Sequence, residues 1–219
     1  MSVSKFQLIL VRHGETEENV STVVQGQRNT KLSEYGLRQA KKLGEYFKQQ
    51  NLNFELVFSS DLERAAVTCR EIVGTAQEII FDKRLRERSM GSSDNSTLAE
   101  YTEEAKNAGF EGENFYFYTP DGGETIAEVD ERVKDFFINH LHQMVKQDFN
   151  VLIVTHAFII VEFMKILSKE FNCSFPEKLR VSPNTGYSVF EIYFDEKSFT
   201  KAYCKKYLQT CHLDNFDKR

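Results

Sequence analysis

The stretch FQLILVRHGET, residues 6–16, joins an apolar run to a polar turn. The run at 6–11 has the nearly continuous hydrophobic character of a strand that is buried on both faces. Arg12, His13 and Gly14 follow at the point where that strand ends. Ligands of open α/β sheets bind beyond the carboxyl ends of the strands. The stretch therefore predicts both a buried central strand and a functional site at its end.

Strand and helix patterns alternate along the rest of the chain, which predicts an α/β fold with a largely parallel sheet. Helical periodicity predicts a helix after Ser33, which can cap it, another at about 61–73, and a long one from Thr125 to about residue 147. The remaining segments are predicted as strands at 56–59, 79–82, 151–155, 187–194 and 201–207, and as helices at about 97–107 and 157–168.

The composition is that of an ordinary globular domain. At 219 residues, with 41% hydrophobic and 28% charged residues, the chain can bury a core without disulfides or metals. The net charge of −5 argues against nucleic-acid binding, because phosphate backbones attract clustered Lys and Arg. Glu162 and Lys165 interrupt the longest apolar stretch, 157–167, so we expect no membrane span. Without a signal-peptide pattern or a CxxC pair, we expect a cytoplasmic protein with reduced thiols.

Polar residues follow four of the predicted strands. They occupy 12–16, 59–64, 84–88 and 155–156, and they supply two histidines, several arginines and the carboxylate of Glu87. This inventory suits phosphoryl transfer, in which guanidinium groups bind phosphate oxygens, an imidazole attacks phosphorus and a carboxyl group protonates the leaving alcohol. Because no HExxH or comparable spacing is present, we expect neither a metal nor another cofactor.

An ordered set of motifs extends this site along the whole chain. It consists of RHGET at 12–16 with Asn19, QG at 25–26, LSEYG at 32–36, SSDLERA at 59–65, GGET at 122–125 and TH at 155–156. In these motifs the chain resembles the histidine phosphatases with the phosphoglycerate-mutase-like fold. The resemblance implies a three-layer α/β/α sandwich with a mostly parallel central sheet. It also implies a single domain over 1–219, with a loop and helix cap insertion around 88–124.

The resemblance implies roles for individual residues as well. His13 is expected to accept the phosphoryl group, and Glu87 to protonate the leaving alcohol. The groups expected around the phosphoryl group are Arg12, Arg64 and His156. The substrate-binding set is completed by Asn19, Gln25, Gly26, Arg86 and Asn184. The expected partner is a small phosphorylated metabolite of the sugar-bisphosphate or phosphoglycerate type.

Two features bear on the substrate. The segments 84–88, 173–176 and 183–186 resemble those of the fructose-2,6-bisphosphatases within the family. The three arginines of 84–88 lie near Glu87 and could hold a second phosphate or a carboxylate, so we expect at least one of them to face the cleft. The same arginines could instead pair with Glu87 and make it a salt-bridge group rather than an acid.

The predicted chemistry sets the charge of each histidine. His13 has to be neutral to attack phosphorus, and a backbone carbonyl is the expected partner of its other nitrogen. His156 is expected to be an imidazolium that stabilises the phosphoryl oxygens together with Arg12 and Arg64. His140 and His142 lie beside apolar residues on the long helix and are expected to be structural or solvated.

Two other functions use the same motifs. A phosphoglycerate mutase would return the phosphoryl group to a sugar acid, but mutases of the family carry a long insertion after the catalytic Glu. Here only 35 positions separate Glu87 from Gly122. A catalytically silent scaffold would usually lack the nucleophile or an arginine, and this chain keeps both. The chain departs from the family pattern at Ala157, where Gly is usual, and at SSDN, residues 92–95, where Glu-Gly is common.

Overall fold

A six-stranded sheet organises the part of the chain that this computed structural model describes, residues 4–214 and 216. Its strands are β1 (Ser4–Arg12), β2 (Leu56–Ser59), β3 (Ile80–Phe81), β4 (Asn150–Thr155), β5 (Tyr187–Phe194) and β6 (Phe199–Gln209). They lie in the order β3-β2-β4-β1-β5-β6. The first four strands of that order are mutually parallel, whereas β5 runs antiparallel to β1 and β6 antiparallel to β5. The predicted mostly parallel sheet is confirmed.

Helices connect the strands, and threonine or serine caps begin several of them. They are α1 (Glu17–Val20), α2 (Glu34–Gln49), α3 (Glu63–Val73), α4 (Leu98–Asn107), α5 (Ile126–Lys134), α6 (His142–Met144) and α7 (Ala157–Phe171). The Ser33 hydroxyl accepts the Gly36 N–H at 3.0 Å and so caps α2, as its position in the sequence predicts. Thr97 and Thr125 begin α4 and α5 with capping boxes.

The alternation of side chains along β1 separates two cores. Ile9 and Val11 join the buried cluster formed with α2 and α3, which includes Leu43. Leu8 and Leu10 join the larger cluster on the other face, to which α5 and α7 contribute. Successive strand residues point to opposite faces of a sheet, so β1 is buried on both sides. The result is the expected three-layer α/β/α arrangement.

The long helix predicted over about 125–147 differs in its winding. After α5 the chain passes through a π-helical segment, Asp135–Leu141, and the helix ends at Met144. In a π-helix residues five apart lie on nearly the same side. This winding brings Phe136 and Leu141, both fully buried, toward the core together. The prediction was wrong here because α-helical periodicity was assumed throughout.

Residues 88–124, which we call the cap segment, lie between β3 and α5. They include α4 and two short 3₁₀ turns, and they contain a small core of Tyr101, Ala105 and Tyr118. Backbone bonds tie the segment to the loop after α1, since the Val24 N–H donates to the Ser96 carbonyl at 2.8 Å. The cap segment is therefore held beside the carboxyl ends of the parallel strands.

Two broader expectations can be compared with the described residues. In 4–214 and 216, no helix combines the length and the apolar character needed to cross a bilayer. The four cysteines, Cys69, Cys173, Cys204 and Cys211, are all free thiols.

Candidate active site

The ends of β1 and β4 place two histidines side by side. Arg12 pairs with Thr155 in the parallel register, and the His13 N–H donates to the Thr155 carbonyl at 3.0 Å. The rings of His13 and His156 follow these residues, with centroids 5.2 Å apart. Both side chains are buried, at 3% and 0% exposure. The sheet thus joins two residues that lie far apart in the sequence.

His13 is oriented and uncharged. Its Nδ1 lies 2.7 Å from the Gly14 carbonyl oxygen, which can only accept, so Nδ1 carries the proton and Nε2 keeps a lone pair. Burial lowers the pKa of the imidazole well below its usual value, and the positive charges of Arg64 and Arg12 lower that pKa further. The predicted carbonyl partner and the neutral ring are both present. Gly14 is needed at this turn because a Cβ there would lie 2.5 Å from the Gly36 carbonyl oxygen.

His156 is also neutral, which corrects the expected imidazolium. Burial lowers its pKa well below the usual value, and the nearby Arg64 lowers the pKa further. Its Nε2 lies 2.8 Å from the Ser60 hydroxyl, and no carboxylate stands among its hydrogen-bond partners to favour the charged form. Its Nδ1 is buried and has no hydrogen-bond partner among the described residues. A proton on Nδ1 would make this ring a neutral hydrogen-bond donor.

Arg64 is a buried cation held by neutral oxygens. Its side chain is 1% exposed and donates to the carbonyls of Gly26 and Arg28 at 2.8 and 2.7 Å, and more weakly to Thr30. Burial lowers its pKa to about 10, which still leaves it charged at neutral pH. Its Nε is buried without a partner among the described residues. An uncompensated buried charge is costly, so this group favours an anionic partner.

Arg12 repeats this arrangement from the other side of the site. One of its terminal nitrogens donates to the Ser182 carbonyl at 2.7 Å, and its Nε is buried without a partner among the described residues. Burial lowers its pKa. Arg12 and Arg64 therefore place two guanidinium groups beside the neutral imidazole of His13.

Glu87 is held by backbone rather than by arginine side chains. Its Oε1 accepts the Arg88 N–H at 2.8 Å, and its Oε2 accepts the Phe158 N–H at 3.3 Å. It lines the same cavity as Arg12, His13 and Arg64. The carboxyl group is thus fixed at the site without the salt bridges to neighbouring arginines that the sequence also allowed.

Of the arginines in 84–88, only Arg88 is among the residues that line the cavity, and substrate binding by Arg86 stays a prediction. Arg86 donates two bonds to Asp61, at 2.7 and 2.6 Å, and does not line the cavity. Arg84 pairs with two further aspartates, Asp82 and Asp135. Arg88 does line the cavity, but its guanidinium donates to backbone carbonyls, including that of Tyr118 at 2.7 Å. The aspartate partner of Arg86 lies 25 positions away, within the SSDLERA motif, and nothing in the sequence indicates that the two side chains pair.

The four remaining predicted residues divide into lining and supporting positions. Asn19, Gln25 and Gly26 line the cavity. Asn184 does not; its side-chain amide donates to the His13 carbonyl at 3.1 Å and to the side-chain oxygen of Asn19 at 3.0 Å. Asn184 therefore positions Asn19 rather than contacting the cavity itself.

The cavity has a volume of about 440 Å³ and is lined by two unlike groups of residues. We call Arg12, His13, Arg64 and Glu87 the reaction floor. Much of the remaining lining is apolar, and we call these members the apolar wall: Val23, Leu98, Tyr116, Phe158, Val161 and Val181. No motif in the sequence indicates the apolar wall, because its members come from five separate segments.

The described residues contain no cluster of three or more His, Cys, Asp or Glu side chains that could hold a metal ion. The positive charge of the reaction floor comes from Arg12 and Arg64 instead. These residues supply fixed, preorganised donors for an anion.

Comparisons with known proteins agree with this geometry. The model of the histidine phosphatase superfamily (branch 1) matches residues 8–205. Fructose-2,6-bisphosphatase TIGAR of Xenopus tropicalis is 32% identical, covering 87% of each chain. A 2,3-bisphosphoglycerate-dependent phosphoglycerate mutase of Brucella ovis is 28% identical, covering 84% of this chain and 97% of the mutase. A mycobacterial glucosyl-3-phosphoglycerate phosphatase, solved with VO3, superposes with a TM-score of 0.76 at 26% identity, covering 93% of this chain and 99% of that one.

Proposed function

Because this chain belongs to the histidine phosphatase superfamily (branch 1), we propose that it hydrolyses small phosphomonoesters through a phosphohistidine on His13. The observation that carries the proposal is the state of His13. Its ring is buried and neutral, with Nδ1 on the Gly14 carbonyl and Nε2 carrying the lone pair, beside the buried guanidinium of Arg64 and the half-buried Arg12. A neutral, oriented imidazole next to fixed cations is suited to attack on a phosphoryl group.

The first step transfers the phosphoryl group to the protein. Nε2 of His13 attacks phosphorus, a P–N bond forms and the bond from phosphorus to the ester oxygen breaks. The leaving oxygen takes a proton from the carboxyl group of Glu87, so the alcohol departs neutral. Donors from Arg12 and Arg64 stabilise the charge that spreads over the three phosphoryl oxygens.

The second step returns the enzyme to its starting state. Water attacks phosphorus while the carboxylate of Glu87 takes a proton from it, and the P–N bond breaks. Phosphate leaves and His13 is again a neutral imidazole, so both atoms and protons balance over the cycle. Glu87 thus alternates between acid and base, which its two backbone hydrogen bonds permit without moving the side chain.

The physiological substrate is the finer part of the proposal. The TIGAR relatives suggest fructose 2,6-bisphosphate, and within the site Arg180 supplies a further cation that lines the cavity. Arg84 and Arg86 give this assignment no support, since both are paired with aspartates. The mutase relative is named for transfer of the phosphoryl group to a sugar acid. Such a transfer would use the same reaction floor, with the sugar acid in place of water as the acceptor.

Three further properties belong to the same proposal. The cap segment and the sheet would form one catalytic domain, because the cap carries part of the cavity lining. Catalysis would need no metal, since Arg12 and Arg64 supply the charge. A cytoplasmic location is consistent with four cysteines that are all free thiols.

The experiment that tests the chemistry is independent of the alcohol. Inorganic phosphate labelled with a heavy oxygen isotope should lose its label to water in the presence of the wild-type protein, because phosphate can re-form the phosphohistidine and be hydrolysed again. The exchange should continue in EDTA and be absent in His13→Ala. A wild-type protein without exchange activity would support the silent-scaffold alternative. Exchange retained in His13→Ala would show that the reaction does not pass through a phosphohistidine on His13. A coupled assay with phosphoglycerates separates hydrolysis from mutase activity.

A further inference from the structure

The cavity lining combines two kinds of surface. The reaction floor offers a buried imidazole, two guanidinium groups and a carboxyl group, whereas the apolar wall offers hydrocarbon and aromatic surface. A phosphomonoester also has two unlike parts: a charged phosphate, and an alcohol whose polarity differs from one ester to another. The nature of the wall therefore bears on which alcohols the site accepts.

Exposed apolar side chains stand at this cavity. Leu98 is 51% and Val181 58% exposed, and both line it. They come from separate elements, the first turn of α4 and the loop before β5. Large apolar side chains are costly to leave in water, and a patch of them at a cavity is typical of a binding surface. A ligand whose carbon body covers both would remove them from solvent.

The aromatic part of the wall is held in place. Tyr116 and Phe158 are stacked, with ring centroids 5.2 Å apart and planes 7° apart. The Tyr116 hydroxyl donates to the carboxylate of Glu162, which is only 2% exposed, and Lys165 binds that same carboxylate at 3.1 Å. The two rings are therefore preorganised by contacts from α7, and they need no reorganisation to receive a ligand.

Three polar groups that line the cavity together with the wall already have partners. The Tyr116 hydroxyl is taken by Glu162, the Arg88 guanidinium by backbone carbonyls, and Arg180 by Glu177 at 3.0 Å. A sugar carries several hydroxyl groups that lose water on binding and need replacement hydrogen bonds. Against this wall such groups would meet hydrocarbon, whereas an alkyl or aryl group would meet a like surface.

We propose that the site is selective for phosphomonoesters of apolar alcohols, alkyl or aryl, whose carbon body packs against the apolar wall while the phosphate lies on the reaction floor. This inference rests on the proposed phosphatase function and names its substrate class. Leu98, Phe158 and Val181 are the specificity-determining residues. Polyhydroxylated sugar phosphates, including fructose 2,6-bisphosphate, are then the poorer substrates.

A series of straight-chain alkyl phosphates, from ethyl to hexyl, tests the proposal with the purified full chain. The leaving alcohols differ little in acidity, so kcat/KM reports binding of the carbon body. It should rise by about threefold for each methylene group that the wall covers. Hexyl phosphate should also exceed fructose 2,6-bisphosphate in kcat/KM.

Two variants assign the effect to the wall. The double variant Leu98→Ser with Val181→Ser changes exposed side chains and should keep its fold by circular dichroism, yet lose most of the rise with chain length. Val20→Ser is the matched control, because Val20 is 42% exposed and does not line the cavity. It should keep the wild-type rise.

The outcomes separate this inference from the proposed function. A flat alkyl series, a higher kcat/KM for fructose 2,6-bisphosphate, or an unchanged rise in the folded double variant overturns the apolar selectivity. The oxygen-exchange reaction of inorganic phosphate needs no alcohol, so its presence in those cases leaves the proposed function standing. If exchange and ester hydrolysis are both absent, the proposed function and this inference fail together.

Discussion

The reaction floor is charged, buried at His13 and Arg64 and half-buried at Arg12 and Glu87, and held by backbone groups, whereas the apolar wall is more exposed and held by side-chain packing. His13 is fixed by the Gly14 carbonyl, Arg64 by the carbonyls of Gly26 and Arg28, and Glu87 by two backbone N–H groups. In the wall, the Tyr116 side chain is held by its stack with Phe158 and by its bond to Glu162. Functional groups that must be placed within a fraction of an ångström are thus tied to the backbone. Groups that only have to be apolar are spread over several loops and helices.

This difference predicts that substitutions in the reaction floor lower catalytic activity by orders of magnitude, whereas substitutions in the apolar wall change it by small factors. The largest loss is expected in His13→Ala, which removes the group that accepts the phosphoryl. Turnover should fall by about 10⁴-fold or more. Calorimetry should still detect binding of inorganic phosphate, because Arg12 and Arg64 remain. Turnover within tenfold of wild type would show that His13 is not the nucleophile.

Glu87→Gln should give the next largest loss, about 10²- to 10⁴-fold, because the amide keeps the shape but cannot exchange a proton. The first step should be affected according to the leaving group. An alkyl phosphate needs the proton and should be slowed in both steps, whereas a nitrophenyl phosphate releases a stable phenolate without help. Burst kinetics with the two esters measures this. Equal slowing of phosphoryl transfer from both esters would be evidence against Glu87 as the acid.

Arg64→Lys, compared with Arg86→Lys, tests whether burial at the floor distinguishes two arginines of the same motif set. Lysine keeps the charge at Arg64 but loses the planar fork that meets two carbonyls and the phosphate, so kcat/KM should fall by about 10²-fold. Arg86 lies on Asp61 outside the cavity, and its replacement should change kcat/KM by less than about threefold. Similar losses in both variants would contradict the division described here.

The smallest effect is expected at the wall, in Tyr116→Phe. The change removes a hydroxyl that donates to the buried Glu162, whose pKa is raised by burial. We expect the free energy of unfolding in urea to fall by about 1–2 kcal/mol, with turnover of ethyl phosphate changed by only a small factor. Tyr193→Phe is the control, since its hydroxyl bonds to the less buried Glu191 and its loss should cost less. Equal losses of stability in Tyr116→Phe and Tyr193→Phe would show that the bond from Tyr116 to Glu162 contributes no more than the bond from Tyr193 to Glu191.

The same contrast describes what the sequence could and could not predict. The carboxyl ends of parallel strands meet at one edge of a sheet, so the polar residues after the predicted strands indicated a common site for Arg12, His13 and His156, and the family resemblance implied their roles. The pairing of Arg86 with Asp61 was not predictable, because adjacency to Glu87 in sequence says nothing about where the guanidinium turns. The neutral state of His156 follows from burial near cations, a property of the folded environment that a residue pattern does not contain.

The helix after Thr125 was predicted, but its π-helical segment and the apolar wall were not, for related reasons. Apolar spacing marks the inward face of a helix but does not distinguish α from π winding over a single turn or two, as at Asp135–Leu141. Residues such as Leu98 and Val181 look like ordinary surface positions in the sequence. They become a common surface only when the cap segment and the loop before β5 meet over the same cavity.

The central claim is that the phosphoryl group passes through His13, and the most direct measurement is intact mass after rapid quenching of Glu87→Gln with an aryl phosphate. Phenolate departure lets the first step proceed, while the second step lacks its base, so one phosphoryl group should accumulate on the protein. The adduct should be acid-labile, stable in base and absent when His13→Ala is added to the variant. If the active wild type and Glu87→Gln both show no added phosphoryl group, water attacks the substrate directly and His13 serves only as a phosphate ligand.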